Sequence, residues 1–559
     1  MMLKTSSRKI NPFFGMIKST LRKNFGIIIV LCIMALLFCP GVYIVNFDSY
    51  LAHRYTQINT AGTTPVDFSE TFGIIITIFA PLFVILFNFV NFSFLYKKSS
   101  SDVFHAFPIT RTELLLSRMI TSIISALTPI VLCTIFYITL VLFNPWLGHF
   151  GTLLYYLALA LVITLLWSAF SMIFVVCSGS TFDLAFSFSS INISIMILGL
   201  ILNSIFNETL LGYTGYSGQL LERISLLFFS ATHETVEFWI RAIIYILVFT
   251  FAAIILYNRR KAERGGTAYA YKFMYYVCSV LISICGGYVI GILFFSDIYS
   301  LGFWFFTLVG AILFSLIYGL ITNRGFKGAL RSLIMGAIAW AVLLAIMLTS
   351  SVGGLGFTTR VPSAFQVKNV TVSTMGEDIT FTDPEAVIKL HEKTVESAIS
   401  YSDYYSDTSR YDETNELIGI KFDYKLAGGS SLERRFYAPI SSIENELLSV
   451  LKHKDHLKHI IKDLEIHKYE PQIIEITYYP EYENGYNLTD YEISKDDLIN
   501  LLSAYWQDLQ TVETIDEFNW NENSLHITVT YEDTQRNISL YMNDEFNNTI
   551  EMLKYHYLY

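Results

Sequence analysis

Apolar residues fill the first 350 positions in blocks of about twenty, the length that crosses the hydrocarbon core of a bilayer as a helix, and short polar loops separate them. The blocks predict nine spans, at 27–47, 72–95, 120–143, 152–177, 184–206, 239–257, 273–295, 301–321 and 332–350. After residue 350 the pattern changes. Alternation in "FQVKNVTVS" and "IIEITYYP" marks strands, and the stretches 383–400 and 494–510 carry amphipathic helices. Asp383 is placed to cap the first of these, with Pro384 at its opening position. Hairpins follow in "LIGIKFDYKLAGGSSLERRFYAPI" and "SLHITVTYEDTQRNISLYMND", then closing helices in "SSIENELLSVLKHK" and "DEFNNTIEMLKYH". Each half therefore reads strand–helix–hairpin–helix. The expected fold is a polytopic α-helical membrane protein of about nine transmembrane helices, followed by an α+β domain (351–559) built as a tandem repeat, roughly 365–455 and 470–559. Whether its two lobes share one sheet stays open at this point.

Composition agrees with the membrane reading. The chain is 53% hydrophobic with mean hydropathy +0.46, too apolar for a soluble globule of 559 residues. Charge divides it further. Residues 1–350 hold 21 Lys and Arg against 12 Asp and Glu, a net of +9. Residues 351–559 hold 17 against 36, a net of −19, which argues against a nucleic-acid partner. Every second loop is basic: the N-terminus, then Lys97, Lys98, Arg111 and Arg118, then Arg259, Arg260, Lys261 and Arg264, then Arg324, Lys327 and Arg331. The positive-inside rule places those loops and the N-terminus in the cytoplasm. With an odd number of spans, the acidic domain then lies outside. No cleavable signal pattern precedes the first span. All six cysteines lie in apolar runs, so no disulfide framework is expected in the acidic domain.

Three segments between the spans have character of their own. Residues 1–26 are expected to form a cytoplasmic amphipathic helix on the inner leaflet, with Phe13, Phe14, Ile17 and Leu21 on its apolar side. The outer segment between spans five and six contains "GQLLERISLLFFSA". Leu220, Leu221, Ile224 and Leu226 there suggest a re-entrant or surface helix, too short and too charged to cross. The third is the cytoplasmic loop "SSSDVFHAFPITRTELLLSRMI". Pro108 forces a turn. Thr110 as N-cap and Glu113 have the spacing of a capping box, and the helix they open runs through Leu114, Leu115 and Leu116 into span three. Phe104 and Phe107 would make an apolar knob suited to a partner's groove.

This loop resembles the one after the second span of ABC-type exporter permeases of the ABC-2 kind, through "FPITRTELLLSR". The amphipathic N-terminal helix, the six spans and the outer re-entrant segment extend the resemblance over residues 1–260. It implies a six-span permease core at 27–260, with three additional helices at 261–350 as a departure from the simplest members. It also implies a coupling helix on Phe104, Phe107, Pro108, Thr110, Arg111, Glu113 and Arg118 that docks on a separate ATPase subunit. The implied location is a bacterial plasma membrane. The implied assembly is two permease subunits, as a homodimer or heterodimer, with two ATPase subunits carrying ATP and Mg. The chain itself has no Gly–Lys–Ser/Thr of a phosphate-binding loop, so it is not expected to be an enzyme or to bind a cofactor. "GGLGF" at 353–357 reads as a flexible linker. The implied function is an ATP-driven exporter permease for an amphipathic substrate such as a peptide, an antimicrobial compound or a lipid. The rival reading is a membrane-anchored receptor or scaffold whose outer domain senses a ligand.

Other candidate chemistry is thin. His453, His456, His459 and His467 have partial metal-ligand spacing, but the neighbouring lysines repel a cation and no metal is expected. The "HETVE" at 233–237 lacks the second His of a zinc helix. "YSDYYSDTSRY" at 401–411 reads as a solvated loop, and Asp183 as the cap of span five.

Overall fold

The computed structural model describes residues 12–57, 68–105, 107–143, 150–215, 225–226, 236–326, 328–374, 377–405, 417–427, 431–465, 471, 473–479, 488–492, 494–513, 524–531, 535–541 and 546–557. They fall into two compact units, residues 1–203 with 216–346, and residues 204–215 with 347–559.

Among the described residues nine helices are long and apolar enough to cross a bilayer, the make-up of a multi-pass membrane protein. They are α1 (Pro12–Gln57), α2 (Phe68–Asn91), α4 (Arg111–Phe143), α5 (Phe150–Cys177), α6 (Thr181–Thr209), α7 (Val236–Arg259), α8 (Lys272–Phe294), α9 (Leu301–Asn323) and α10 (Ala329–Ser351), with the short α3 (Lys98–His105) before α4. Polar side chains pin the apolar helices to one another. Asn88 Nδ2 donates to Ser171 Oγ at 2.8 Å, and Asn91 Nδ2 to Ser122 Oγ at 2.9 Å, so α2 is tied to both α5 and α4. The hairpin α8–α9 packs backbone to backbone. A Cβ at Gly287 would sit 2.8 Å from the Thr307 carbonyl, so only glycine permits that approach.

The first expectation corrected is the separate N-terminal helix. Pro12–Phe25 is helical but runs without a break into the first span as part of α1. No proline or cap lies between Phe13 and Ile27 to interrupt it. Thr20 and Asn24 are buried instead, and Asn24 Nδ2 donates to Ser125 Oγ at 3.4 Å. Phe13, Ile17 and Leu21 are half-buried, while Phe14 is exposed.

The C-terminal unit holds two four-stranded sheets, with orders β2-β1-β3-β4 and β6-β5-β7-β8. The strands are β1 (Val367–Thr374), β2 (Glu377–Phe381), β3 (Leu417–Leu426), β4 (Ser431–Pro439), β5 (Ile473–Tyr479), β6 (Leu488–Glu492), β7 (Ser524–Thr530) and β8 (Gln535–Tyr541). Their pairings are antiparallel throughout. Helix α11 (Glu385–Tyr405) connects β2 to β3, and α14 (Lys495–Thr511) connects β6 to β7. The lobes close with α12 (Ile440–Leu451) and α13 (Lys454–Asp463), and with α15 (Asn547–Tyr557). The sheets are separate, but one apolar core joins the lobes. Ile420, Phe422 and Leu447 of the first share it with Leu501, Ile527 and Phe546 of the second. Each lobe also has a strand that the alternation did not announce, β2 and β6. "GGLGF" is corrected too: it is a hydrogen-bonded turn rather than a flexible linker, with Gly354 N donating to Thr349 O at 3.0 Å and Thr358 N to Gly353 O at 3.3 Å.

Candidate partner-docking site

A helix ends with carbonyls that have no partner inside it, and it carries partial negative charge there. Three such ends meet in the first unit, where α2, α5 and α7 finish near the start of α4. Arg260 closes two of them. Its guanidinium donates to Val176 O at 2.7 Å and Val175 O at 3.2 Å, and to Leu95 O at 3.1 Å in the 3-10 turn after α2. Tyr96 lies beside it, its ring 5.9 Å from the guanidinium carbon and its hydroxyl donating to Val175 O at 3.3 Å. Burial pushes the Tyr96 hydroxyl up, so the ring stays neutral. Arg111 closes the third end, donating to Arg260 O at 2.9 Å and Asn258 O at 3.2 Å. The adjacent loop is stitched back by Ala270 N to Cys177 O at 2.8 Å and by Gly266 N to Gly179 O at 2.8 Å.

The short helix α3 rests on this base. Phe104 packs at a tilt against Phe94 with centroids 4.4 Å apart, and Arg118 of α4 lies under both rings, 4.7 Å from Phe104 and 5.5 Å from Phe94. Arg118 is buried and its Nε has no hydrogen-bond partner, so the aromatic faces are its counterweight. The chain then turns tightly across Pro108, with Ile109 N donating to Phe107 O at 2.8 Å. The capping box is present: Thr110 N donates to Glu113 Oε2 at 2.8 Å, and Glu113 N to Thr110 Oγ1 at 3.2 Å. Above this braced base two apolar side chains stand clear, Val103 at 60% exposure and Phe107 at 45%. The arrangement offers a stiff apolar tip on a cationic base.

The expected loop residues are thus brought together. Leu220, Leu221 and Ile224 lie outside the described residues, as do His233 and His467. Leu226 is half-buried against the helix core. Asp183 does not cap α6 itself. Ser180 takes that place, and Asp183 is its capping-box partner, with its own N donating to Ser180 Oγ at 3.1 Å. His453 caps α13 by accepting from Asp455 N at 3.3 Å, and His456 Nδ1 lies 2.8 Å from Leu451 O. No group of three potential metal ligands occurs among the described residues. Sequence reasoning missed Phe94, Tyr96 and the structural part of Arg260, which is indistinguishable in the run Arg259–Arg260–Lys261 from a charge facing water.

No protein-family model, no curated protein and no solved structure matches the chain.

Proposed function

We propose that this chain is the membrane-spanning permease subunit of an ATP-driven ABC exporter, and that α3 with the Pro108 turn is its docking element for a separate ATPase subunit. The observation that carries the reading is the exposed pair Val103 and Phe107 on a braced, cation-backed base. An apolar tip of this kind in water is disfavoured unless something covers it, and its stiffness limits the entropy lost on docking. Arg111 and Arg260 tie that base to the carbonyl ends of three membrane helices, so a push on the tip reaches them directly. In this reading the loop faces the cytoplasm of a bacterial cell and the acidic domain faces outward. Two permease chains combine with two ATPase subunits, and an amphipathic substrate is the cargo. The equal strand orders of the two lobes support an origin by tandem duplication.

The test is photo-crosslinking from position 107. A benzophenone side chain placed there in the full-length protein, in its native membrane, should capture a polypeptide with a phosphate-binding loop, identifiable by mass spectrometry. The same probe at exposed Phe365 of the C-terminal domain should not. Equal capture from both positions, or none from 107, would contradict the assignment.

A further inference from the structure

Helix α10 does not simply stop at Ser351. The next residues fold back into a closed turn. Gly353 N donates to Ser350 O at 3.1 Å, Gly354 N to Thr349 O at 3.0 Å and Phe357 N to Gly354 O at 3.2 Å. Four consecutive residues take left-handed backbone conformations: Gly353 (φ 85), Gly354 (φ 59), Leu355 (φ 57) and Gly356 (φ 86). Three are glycines, for which this region is unstrained. The fourth is leucine, which is strained there.

Leu355 is unfavourable in water twice over. Its backbone is strained, and its side chain is 94% exposed at the tip of the turn. Val352 beside it is 85% exposed. Asparagine or glycine would relieve both costs in a turn facing water. The rest of the turn is firmly held. Leu210 packs so closely behind Gly354 that a Cβ there would meet it at 2.7 Å. Phe357 points the other way, with the Arg434 guanidinium carbon 3.5 Å from its ring centroid, and Thr358 is buried. The turn therefore sends one aromatic residue into the domain and two aliphatic residues out of it.

Chain connectivity identifies what covers them. Val352 is one residue past a helix long and apolar enough to cross a bilayer, and Leu355 is four past. An extended chain of four residues reaches about 14 Å at most, and the turn is shorter than that. Both side chains thus lie within reach of the interfacial layer into which the helix emerges. We propose that residues 352–356 form a lipid-dipping turn, in which Leu355 and Val352 insert into the bilayer interface and seat the C-terminal domain on the membrane surface. Transfer of both side chains out of water offsets the strain at Leu355. The proposal needs the membrane span but not the exporter assignment.

The test uses the full-length protein in phosphatidylcholine nanodiscs. A genetically encoded nitroxide amino acid, placed in turn at 352, 355 and 359, avoids the six native cysteines. Collision rates are measured with oxygen, which partitions into lipid, and with a water-soluble nickel chelate. The oxygen-to-chelate ratio should be several-fold higher at 352 and 355 than at exposed Thr359. Val352 has no left-handed backbone, so its result stands even where the label at 355 perturbs the turn. Equal ratios at all three positions would overturn the proposal in favour of a water-facing turn. Exclusion of both reagents from 352 and 355 would overturn it in favour of a protein cover, such as a second copy of the chain.

Discussion

The loop end of the helix bundle and the C-terminal domain both anchor helix ends, with charges of opposite sign. In the bundle, Arg260 and Arg111 donate to carbonyls where helices finish. In the domain, aspartates accept from amides where helices begin. Asp508 takes Thr549 N at 2.7 Å, Thr549 Oγ1 at 2.7 Å, Asn548 Nδ2 at 2.7 Å and Asn548 N at 3.2 Å, at the start of α15. Asp455 takes Thr382 N at 2.9 Å and Thr382 Oγ1 at 2.7 Å on the entry to α11. Each side chain complements the dipole it faces. The net charges of +9 and −19 read from the sequence are therefore more than topological signals, since arginines of the first region close helix C-termini and aspartates of the second close helix N-termini, although Glu113 and Asp183 also join caps at helix starts in the first. The regions differ in what they leave outside. The acidic region buries its anchors, Asp455 inside the first lobe and Asp508 inside the second, whereas the basic one supports the apolar tip of Val103 and Phe107.

That contrast can be broken at either end. The largest expected effect is Asp508→Ala, which strands the amide and hydroxyl of buried Thr549 and also releases the two donors of exposed Asn548, and should cost about 3 kcal/mol. Hydrogen exchange over Asn547–Tyr557 reads it as lost protection, with α11 much less affected. Arg260→Ala should follow at about 2–3 kcal/mol, because three carbonyls lose a donor. Arg260→Lys should recover less than half of it, since an ammonium cannot fork to all three. Thermal unfolding in detergent measures both.

The third test is acidification. His391 is buried in the first lobe, its Nδ1 2.9 Å from the Tyr424 hydroxyl and its ring stacked on Phe422 at 4.5 Å. Burial, then the nearby Arg434 charge, lowers its pKa from 6.5 to about 3. The unfolded chain takes up a proton below about pH 6.5 that the folded lobe refuses. Stability from this site is complete above that pH. It is lost on acidification towards about pH 3, at about 1.4 kcal/mol per pH unit. Asp455 works in the same direction. Burial opposes its charge, but hydrogen bonds from Thr382, Lys458 and Asp383 outweigh that and hold the carboxyl below its usual range. Unfolding of the domain from pH 7 to pH 4 should show the slope, and His391→Phe should flatten it. The smallest effect on stability belongs to the tip. Phe107→Ala should change the unfolding temperature hardly at all, below about 0.5 kcal/mol. Phe104→Ala should cost about 1–2 kcal/mol through its lost contacts with Phe94 and Arg118.

Much of this organisation was legible from periodicity. The apolar blocks match the nine long helices to within a few residues except α1, which begins at Pro12 because nothing in "LRKNFGIII" stops a helix, and α4, which begins at Arg111 behind its Thr110 cap, well before the block at 120. The capping box was readable because Thr110 and Glu113 are neighbours in sequence. Strands β2 and β6 were not, since "EDITF" and "LTDYE" are short, acidic edge strands. The break between α12 and α13 was missed because a capping histidine, His453, is a rare cap. The seat of Arg260 was illegible for a different reason: its acceptors Leu95, Val175 and Val176 come from two distant stretches, and their carbonyls converge only once those helices stand side by side.

The most direct test of the central claim is co-purification. The protein is solubilised from its native membrane in mild detergent, wild type beside Phe107→Asp, and its companions are identified. The account predicts an ATPase with a phosphate-binding loop on the wild type, lost from a variant that remains folded and equally abundant. An ATPase retained by that variant, or absent from both samples, would contradict the docking role of the tip; absence from both would favour a receptor that needs no motor.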